Sequence, residues 1–479
     1  MNYRIVGRTA GVALLIAAAS MALSMLVALF YGEDPLPFVW AILITGVCGF
    51  LLTRLRPDVN LFYAKEAYIS VVGIWLAVPL FSALPFLFNG QFGSVVNCIF
   101  ESVSGFTTTG ASILEDIEAL PKGILFWRSF THYLGGMGVL VLTSLITSTS
   151  QKRFQHLMRA EMPGPTADKF APRLRTSSRI LYTIYLTLSG LCAICLMLTG
   201  LSPYHAAVVT FSTAGTGGFG VLNGSIAAYE NPAAEMVVAV FMLLFAVNFG
   251  IYFLIASRQW RQAVSSEELL VYLGIIVAAT ALIFANVRGA YETLGDGLRH
   301  VFFTVTSIIS STGFATADFN LWPAFAQSLI LILMLVGACA GSTGGGIKVA
   351  RVIMIIKGLG QELRRMIHPK AVSVVRLSGK MIDDDTIKSV YRFIAAYFLI
   401  TFGANLILTL DNYDFSTTFS AVISCMSNIG PGIGLVGPME SYALFSGLSK
   451  VVLSFCMILG RLEIFPILLF FAPSVWRKS

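Results

Sequence analysis

Charged side chains are scarce in this sequence. Asp, Glu, Lys and Arg make up 12% of the 479 residues, whereas ordinary soluble chains carry about 25%. Half the usual charge is too little to cover a water-facing surface of this size, which argues against a soluble globular enzyme. The low charge also argues against a nucleic-acid-binding protein, although Lys and Arg outnumber Asp and Glu by 32 to 25.

The sequence also lacks the patterns of a disulfide framework and of a catalytic or metal centre. Its seven cysteines are odd in number and lie nearly all in apolar runs, unlike the paired cysteines of secreted domains. Cys192 and Cys195 have C-x-x-C spacing, but inside an apolar run we expect them to pack as small hydrophobic residues. The five histidines show no metal-ligand spacing, and no Gly-x-Ser nucleophile has a suitably placed histidine. We therefore predict no catalytic residue and no organic cofactor, and an intramembrane enzyme is the remote alternative.

What the sequence has in abundance is apolar runs of about 20 residues, the length that spans a bilayer as a helix. With 56% hydrophobic residues, we predict an all-α polytopic membrane protein embedded in the lipid bilayer. The first two runs, at about 10–30 and 37–52, predict an N-terminal two-helix hairpin. We interpret the first run as a retained span, because it is long and ends without a small-residue cleavage pattern.

After the hairpin, one pattern recurs four times: a long apolar helix, a short segment, a cluster of Thr, Ser and Gly, and another long apolar helix. The short segments have about 11–15 residues, or about 16–22 Å at 1.5 Å per residue, and cannot cross the membrane. They can enter and return, and irregular backbone at membrane depth is tolerated only inside protein or along a wet cavity. We therefore predict four membrane–pore-loop–membrane repeats around one pore.

The predicted units are the N-terminal hairpin at 1–60, pore repeat 1 at 61–150, pore repeat 2 at 151–262, pore repeat 3 with a gate loop at 263–368, and pore repeat 4 at 369–479. The opening helices are expected near 66–88, 179–200, 268–286 and 389–410. The short segments are expected near 93–106, 203–213, 296–310 and 414–427. The closing helices are expected as long apolar helices near 124–148, 233–256, 324–356 and 441–472.

Basic residues mark one side of the predicted membrane protein. They concentrate at 152–179 and 348–380, and the positive-inside rule makes this side cytoplasmic. The polar stretch 359–387 is interpreted as a cytoplasmic loop with some strand character around 371–376. The Thr/Ser/Gly clusters then lie toward the outside. Three further residues are interpreted as belt residues at the membrane interface: Trp127, Arg128 and Trp322.

The four clusters predict a selectivity filter for a monovalent cation. Each has a glycine that we take as corresponding: Gly110, Gly217, Gly313 and Gly430. A K⁺ ion leaving water needs oxygens in place of its hydration shell, and four converging loops can supply backbone carbonyls, in conformations that glycine permits. The clusters contain no Asp, Glu or Lys, so the filter is expected to be neutral. Small residues at helix interfaces are the alternative, which four clusters at corresponding places disfavour.

A second feature is a glycine-rich break inside the third closing helix. Five glycines fall between residues 337 and 346 and predict a flexible intramembrane gate, or else a kink that accommodates neighbouring helices. Arg461 lies deep in the last span, where an ionisable residue costs about 2.5–3.5 kcal/mol. It is expected to bond carbonyls of the loop 341–346 and restrict the cation path, or else to form a structural pair with Glu463 or with another helix. Lys348 follows the loop, and the favoured interpretation for it is an interfacial lysine whose side chain extends to water.

At these residues the sequence resembles the Trk/Ktr/HKT superfamily of cation transporters, and within it the bacterial TrkH branch, over nearly the whole chain. The most specific pieces are the stretches 104–112, 127–128 with 135–138, 341–348, 368–369 and 460–463. The resemblance implies potassium uptake across the bacterial cytoplasmic membrane, with K⁺ as the transported ion bound at the filter. It also implies a homodimer that binds a cytoplasmic nucleotide-binding subunit of the TrkA type, which we place at the basic stretches 152–179 and 348–380.

The resemblance further implies which residues form the filter and the gate. The filter would consist of Thr108, Thr109, Gly110, Gly215, Thr216, Gly217, Ser311, Thr312, Gly313, Asn428, Ile429 and Gly430. The gate would consist of Gly341, Ser342, Thr343, Gly344, Gly345, Gly346, Lys348 and Arg461. In plant relatives a serine at the first filter glycine accompanies Na⁺ preference, so Gly110 favours K⁺. The departures at Gly215 and in the Thr-less fourth cluster keep a Na⁺ or unselective monovalent-cation pathway as the alternative.

Overall fold

The fold is almost entirely helical, as predicted. A computed structural model describes residues 3–55, 64–138, 174–369 and 374–473. In this part of the chain the hairpin consists of α1 (Tyr3–Phe30) and α2 (Leu36–Thr53). Next come α3 (Ala64–Ser82), α4 (Leu84–Asn89), α5 (Val95–Phe106) and α6 (Lys122–Gly136), then α7 (Leu174–Leu198), α8 (Pro203–Gly215), α9 (Pro232–Ala246), α10 (Phe249–Ala256) and α11 (Trp260–Val264). The chain continues with α12 (Glu267–Val287), α13 (Leu294–Ile309), α14 (Ala324–Val336), α15 (Val349–Ile367), β1 (Arg376–Leu377) and β2 (Lys380–Met381), and ends with α16 (Asp384–Leu408), α17 (Phe415–Ser427), α18 (Gly447–Arg461) and α19 (Phe465–Phe471).

Long apolar helices make the chain a multi-pass membrane protein. Among the described residues, six helical stretches have the length and composition of membrane spans, and two bent helix pairs bring the number to as many as eight. The six are α1, α2, α3 with α4, α7, α12 and α16. They match the predicted hairpin and the four predicted opening helices. The exact unit boundaries stay predictions.

The four short segments form half-helices, and this prediction is confirmed. Helices α5, α8, α13 and α17 have 12, 13, 16 and 13 residues, or about 18–24 Å at 1.5 Å per residue. Each begins at a polar side chain that accepts a hydrogen bond from a backbone amide of the first turn, a typical N-cap. The caps are Ser94, Ser202, Thr293 and Asp414. Each half-helix ends where its Thr/Ser/Gly cluster begins.

Two closing helices, which the sequence predicts as single long helices, are each bent sharply instead. Helices α9 and α10 meet at 88°, and α18 and α19 meet at 120°. The first bend lies at Asn248, whose side chain accepts a hydrogen bond from the amide of Gly250 and so starts a new helix. The second bend lies at Glu463 and Ile464, whose φ angles are positive. The predicted glycine break is confirmed, since residues 337–348 separate α14 from α15. Residues 139–148 of the first closing helix lie outside the described residues.

Three residues assigned to the membrane interface are buried in the protein instead. Trp127, Arg128 and Trp322 are 0%, 1% and 6% exposed. The indole of Trp127 donates to the carbonyl of Ser82 at 3.1 Å, and that of Trp322 donates to the hydroxyl of Tyr291 at 3.1 Å. Their polar atoms therefore have partners inside the protein and do not need the headgroup region.

The cytoplasmic loop has the predicted strand character, slightly later in the chain. Strands β1 and β2 pair antiparallel, with Arg376 opposite Met381, while residues 370–373 lie outside the described residues. The turn of this hairpin is held by Glu267, which accepts a hydrogen bond from the amide of Ser378 at 3.0 Å and forms an ion pair with Lys357. The hairpin is thereby fixed to the start of α12 and to α15.

Candidate ion filter and glycine loop

Four short backbone segments with the same conformation follow the four half-helices. The first residue of each has a positive φ of 53–58°, and the third is a glycine with a φ of 79–102°. The amide of the middle residue donates to a serine carbonyl at the end of the half-helix, at 2.8–3.0 Å. The filter segments so defined are Thr108-Thr109-Gly110, Thr216-Gly217-Gly218, Ser311-Thr312-Gly313 and Asn428-Ile429-Gly430. Alternating signs of φ let successive carbonyls face one side, unlike a regular strand.

The predicted register of the second filter segment is wrong by one residue. Gly215 is the last residue of α8, and the residue that corresponds to Gly110 is Gly218, with a φ of 79°. The sequence offers three glycines within four positions there, so spacing alone cannot choose between them. Gly215 has a packing role, since a side-chain carbon there would overlap the backbone of His132 in α6.

The four filter segments form a closed ring. A side-chain carbon on the third residue of each segment would overlap the carbonyl oxygen of the middle residue of the next segment. The overlapping pairs are Gly110 with Gly217, Gly218 with Thr312, Gly313 with Ile429, and Gly430 with Thr109. Because glycine has no such carbon, the segments approach closely enough to surround a common axis. The oxygens of the four middle residues therefore belong to one layer of the ring.

The ring carries no charged side chain, and its side chains are at most 1% exposed. Asn428 connects the fourth segment to the first, because its amide nitrogen donates to the hydroxyl of Thr109 at 3.0 Å and to the carbonyl of Met457 at 2.8 Å. The C-terminal ends of the four half-helices adjoin the ring, and their partial negative charge favours a cation. The site is suited to an ion that neutral oxygens bind.

A cavity of about 200 Å³ lies on the outer side of the ring. Its lining includes the four filter glycines and the carboxylates of Glu115 and Glu440. Asn223 joins two of the surrounding loops, since its amide donates to Asp116 at 2.9 Å and its side-chain oxygen accepts from the amide of Ile117 at 2.7 Å. The Asn223 hydrogen bond holds the pKa of Asp116 below its ordinary value, so this carboxylate is ionised at neutral pH.

The glycine loop, residues 337–348, lies against the opposite, inner end of the ring. The amide of Gly345 donates to the hydroxyl of Ser311 at 2.5 Å. A side-chain carbon on Gly345 would overlap the carbonyl oxygen of Ser427, which precedes the fourth filter segment. The loop thus contacts the third and fourth segments directly. Further contacts tie it to its surroundings: Thr343 donates to the carbonyl of Phe245 at 3.1 Å, and the carbonyl of Gly341 accepts from the amide of Phe249 at 3.0 Å.

Arg461 connects the glycine loop to the first filter segment. Its guanidinium donates to the carbonyl of Thr343 at 2.8 Å and to the hydroxyl of Thr108 at 3.2 Å. It also donates to the carbonyls of Gly135 and Gly136 at the end of α6, at 2.6 and 3.0 Å. The expected contact with the loop is therefore present. Of the two alternatives, the contact with another helix is present too, at α6, whereas Glu463 forms an ion pair with Arg351.

Lys348 does not extend to the membrane interface. Its ammonium group donates to the carbonyl of Gly344 at 2.5 Å, and the side chain folds back over the loop that it ends. A second carbonyl of the loop thus carries a cationic donor, beside the Arg461 contact at Thr343. Lys348 and Arg461 thus place two cationic groups below the filter, and a positive charge there opposes the passage of a cation.

Sequence reasoning missed two buried carboxylates at the site, Glu101 and Glu268, and placed Arg128 at the membrane interface. Glu101 and Arg128 form an ion pair behind the outer end of the filter, with Nε and Oε1 2.5 Å apart. Glu268, 5% exposed, accepts a hydrogen bond from the amide of Ala340 in the glycine loop at 2.6 Å. The signal was available, because ionisable residues inside apolar segments are costly and usually functional.

All seven cysteines lie in the described residues as free thiols, and no cluster of metal-ligating side chains occurs in that part of the chain.

Four half-helices that converge on a neutral glycine ring, with a cationic loop on the inner side, define a membrane protein of the cation-transport class. A family model described as TrkH, a cation transport protein, matches residues 36–287 and 290–478. The chain therefore belongs to the TrkH family.

Individual relatives match over their full length. The Trk system potassium uptake protein TrkH of Salmonella typhimurium is 32% identical, with 100% of both chains covered. The protein of the same name from Halomonas elongata is 34% identical, also with 100% of both chains covered. The crystal structure of the potassium transporter TrkH from Vibrio parahaemolyticus superimposes with a TM-score of 0.89 and 31% identity, and the match covers 100% of each chain.

Proposed function

We propose that this protein takes up K⁺ across the bacterial inner membrane through the four filter segments. The observation that carries the proposal is the closed ring, in which each filter glycine lies against the carbonyl oxygen of the neighbouring segment. The full-length relatives named as potassium uptake proteins support the same ion. K⁺ is the substrate of this reaction, and we assign no enzymatic step to the chain.

The chemistry of the proposed filter is dehydration of the ion. K⁺ gives up its water and receives backbone carbonyl oxygens, with hydroxyls of the segments nearby. A neutral ring binds the ion without holding it as tightly as carboxylates would, which allows release to the inner side. The vestibule carboxylates Glu115 and Glu440 raise the local cation concentration at the entrance.

We infer that the glycine loop is the gate. Its contacts with Ser311 and with Arg461 support a closed position directly below the filter. The five glycines allow a change of backbone conformation at little steric cost. The proposed gate consists of Gly341, Ser342, Thr343, Gly344, Gly345, Gly346, Lys348 and Arg461, as the sequence predicts. Opening requires that the Arg461 contact to Thr343 breaks and that the loop leaves the ion path.

One observation favours a second candidate, a Na⁺ or unselective monovalent-cation pathway. The middle position of the filter segments is Thr109 and Thr312 in two repeats, but Gly217 and Ile429 in the other two. Two of four segments therefore lack a hydroxyl at that level. A ring whose four segments carry different side chains is less uniform than a filter with four identical segments. The selectivity for K⁺ over Na⁺ must therefore be measured.

The proposed assembly is a homodimer that binds a cytoplasmic regulatory subunit of the TrkA type. In the described residues, the surface suited to such a partner is the basic end of α15 and the β-hairpin. Its exposed cationic residues are Arg364, Arg376 and Lys380, and Arg365 beside them is half-buried. The second predicted contact is the stretch 152–179, of which residues 152–173 lie outside the described residues.

The decisive experiment is ⁸⁶Rb⁺ uptake into proteoliposomes that contain the purified protein, with K⁺ and Na⁺ as competitors. The proposal predicts uptake that K⁺ inhibits far better than Na⁺. Gly110→Ser and Gly313→Ser should each reduce the difference between inhibition by K⁺ and inhibition by Na⁺, because an added side chain disturbs the carbonyl ring. Gly403→Ala in α16 is the matched control, since a side-chain carbon there meets open space. Equal inhibition by both ions would favour the second candidate, and no uptake would refute both.

A further inference from the structure

The proposed function does not account for the buried ion pair between Glu101 and Arg128. We propose that these two residues are positioning residues, which hold the outer ends of the first two filter segments at the spacing that distinguishes K⁺ from Na⁺. We call them the filter clamp. This inference rests on the proposed role of the filter segments in K⁺ passage.

The filter clamp joins corresponding points of two filter segments. Glu101 accepts hydrogen bonds from the hydroxyl of Ser112 at 2.9 Å and from the amide of Ile113 at 3.0 Å. Arg128 donates to the carbonyl of Gly220 at 3.0 Å. Ser112 lies two residues after Gly110, and Gly220 lies two residues after Gly218. The ion pair therefore ties together the chain ends that leave the ring in repeats 1 and 2.

The geometry of the filter clamp is tightly determined. Arg128 Nε lies 2.5 Å from Glu101 Oε1, and its guanidinium carbon lies 3.5 Å from the ring centroid of Phe219. Both charged side chains are at most 1% exposed. A planar guanidinium that stacks on one face and donates in its plane has little freedom to move. A shift of the clamp would therefore be transmitted to both filter segments.

The fold of the repeat does not require this pair. Glu101 lies seven residues before the first filter residue of its repeat. The residues at the same distance in the other repeats are Val209, Thr304 and Ala421, all uncharged and buried. Three half-helices thus reach the ring without a carboxylate at that place. Burial of an ion pair is seldom favourable for stability, because desolvation offsets the attraction, so a role in filter geometry explains the pair better.

Loss of the carboxylate has two consequences at the filter. Ser112 and Ile113 lose their common acceptor, so the first segment can move relative to the second. The charge of Arg128, which contributes to the lining of the outer cavity, is then uncompensated and repels an entering cation. The first effect changes selectivity and the second weakens K⁺ binding.

The test compares ⁸⁶Rb⁺ uptake, and its inhibition by K⁺ and Na⁺, for wild type, Glu101→Gln and Arg128→Lys in proteoliposomes. We expect Glu101→Gln to raise the KM for K⁺ and to reduce the K⁺/Na⁺ preference by about tenfold, the lower end of the effect of losing one hydrogen bond to a charged group. Arg128→Lys keeps the charge but loses the planar contacts, so it should reduce the preference with a smaller change in KM. Ser112→Ala removes one tether and should show the same change more weakly.

Glu235→Gln is the matched control. Glu235 is a buried carboxylate that forms an ion pair with Arg299 at 3.1 Å. Neither residue belongs to a filter segment. This variant should keep the wild-type K⁺/Na⁺ preference. A purely structural role for the clamp predicts less folded protein and a lower maximal rate, but an unchanged preference.

The outcomes separate this inference from the proposed function. If wild type transports no Rb⁺, the proposed function fails. If wild type and Glu235→Gln are K⁺-selective, and folded Arg128→Lys and Ser112→Ala keep the full preference, the filter clamp is refuted alone. Should Glu101→Gln not fold, the two milder variants still decide the question.

Discussion

Arg461→Ala tests the gate most directly, because the wild-type side chain bonds both the glycine loop and the filter. The variant removes the hydrogen bond to the carbonyl of Thr343, which measures 2.8 Å. A hydrogen bond from a charged donor contributes about 1.5–3 kcal/mol. A free energy of 1.4 kcal/mol corresponds to a tenfold change in an equilibrium constant. The ratio of closed to open protein should therefore fall by about tenfold to a hundredfold. Removal of the positive charge acts in the same direction.

The assay is the initial rate of ⁸⁶Rb⁺ uptake per reconstituted protein, with the K⁺/Na⁺ preference measured in parallel. Arg461→Ala should raise the rate of uptake, at most to the rate of a protein whose gate is always open. Arg461→Lys, which keeps the charge, should raise the rate less. Arg392→Ala, which removes an exposed arginine of α16, is the matched control and should leave the rate unchanged. A folded Arg461→Ala protein with an unchanged or lower rate would refute the gate assignment.

Three further predictions concern the filter and its support. Gly218→Ala should abolish selective uptake, because its side-chain carbon would overlap a neighbouring filter carbonyl at a φ of 79°; uptake at the wild-type level would show that the corrected register is mistaken. Tyr442→Phe removes the 2.7 Å hydrogen bond to the carbonyl of Gly430, worth about 1 kcal/mol, and should lower the K⁺/Na⁺ inhibition ratio severalfold; an unaltered ratio would contradict this. The carboxylate of Glu33 accepts hydrogen bonds from the first two amides of α6 at 2.6 and 2.8 Å. Glu33→Gln weakens this cap, so the free energy of unfolding in detergent should fall by about 1 kcal/mol. An unchanged free energy of unfolding would argue against the cap.

The sequence was sufficient to predict the helices that depend on length and hydrophobicity. The spans and half-helices follow from the thickness of the bilayer, which sets how many residues can cross it. The break between α14 and α15 follows from the glycines of residues 337–346. These features are properties of single segments, so a single sequence reveals them.

Features that depend on contacts between repeats could not be predicted in this way. The register at Gly215–Gly218 depends on which glycine meets the carbonyl of Thr312, and no local pattern encodes that contact. The sequence places Arg128 at the membrane interface because its partner, Glu101, lies in another helix. The bend at Asn248 differs from these features, because an asparagine between two apolar runs is a cap that the sequence itself shows.

The central claim is that the four filter segments bind a dehydrated K⁺ ion on their common axis. The most direct measurement is anomalous diffraction from crystals of the protein grown with Rb⁺ in place of K⁺. If the ion binds there, an Rb⁺ peak lies on the axis, level with the carbonyl oxygens of Thr109, Gly217, Thr312 and Ile429. Rb⁺ peaks elsewhere in the protein, with none between these oxygens, would contradict it.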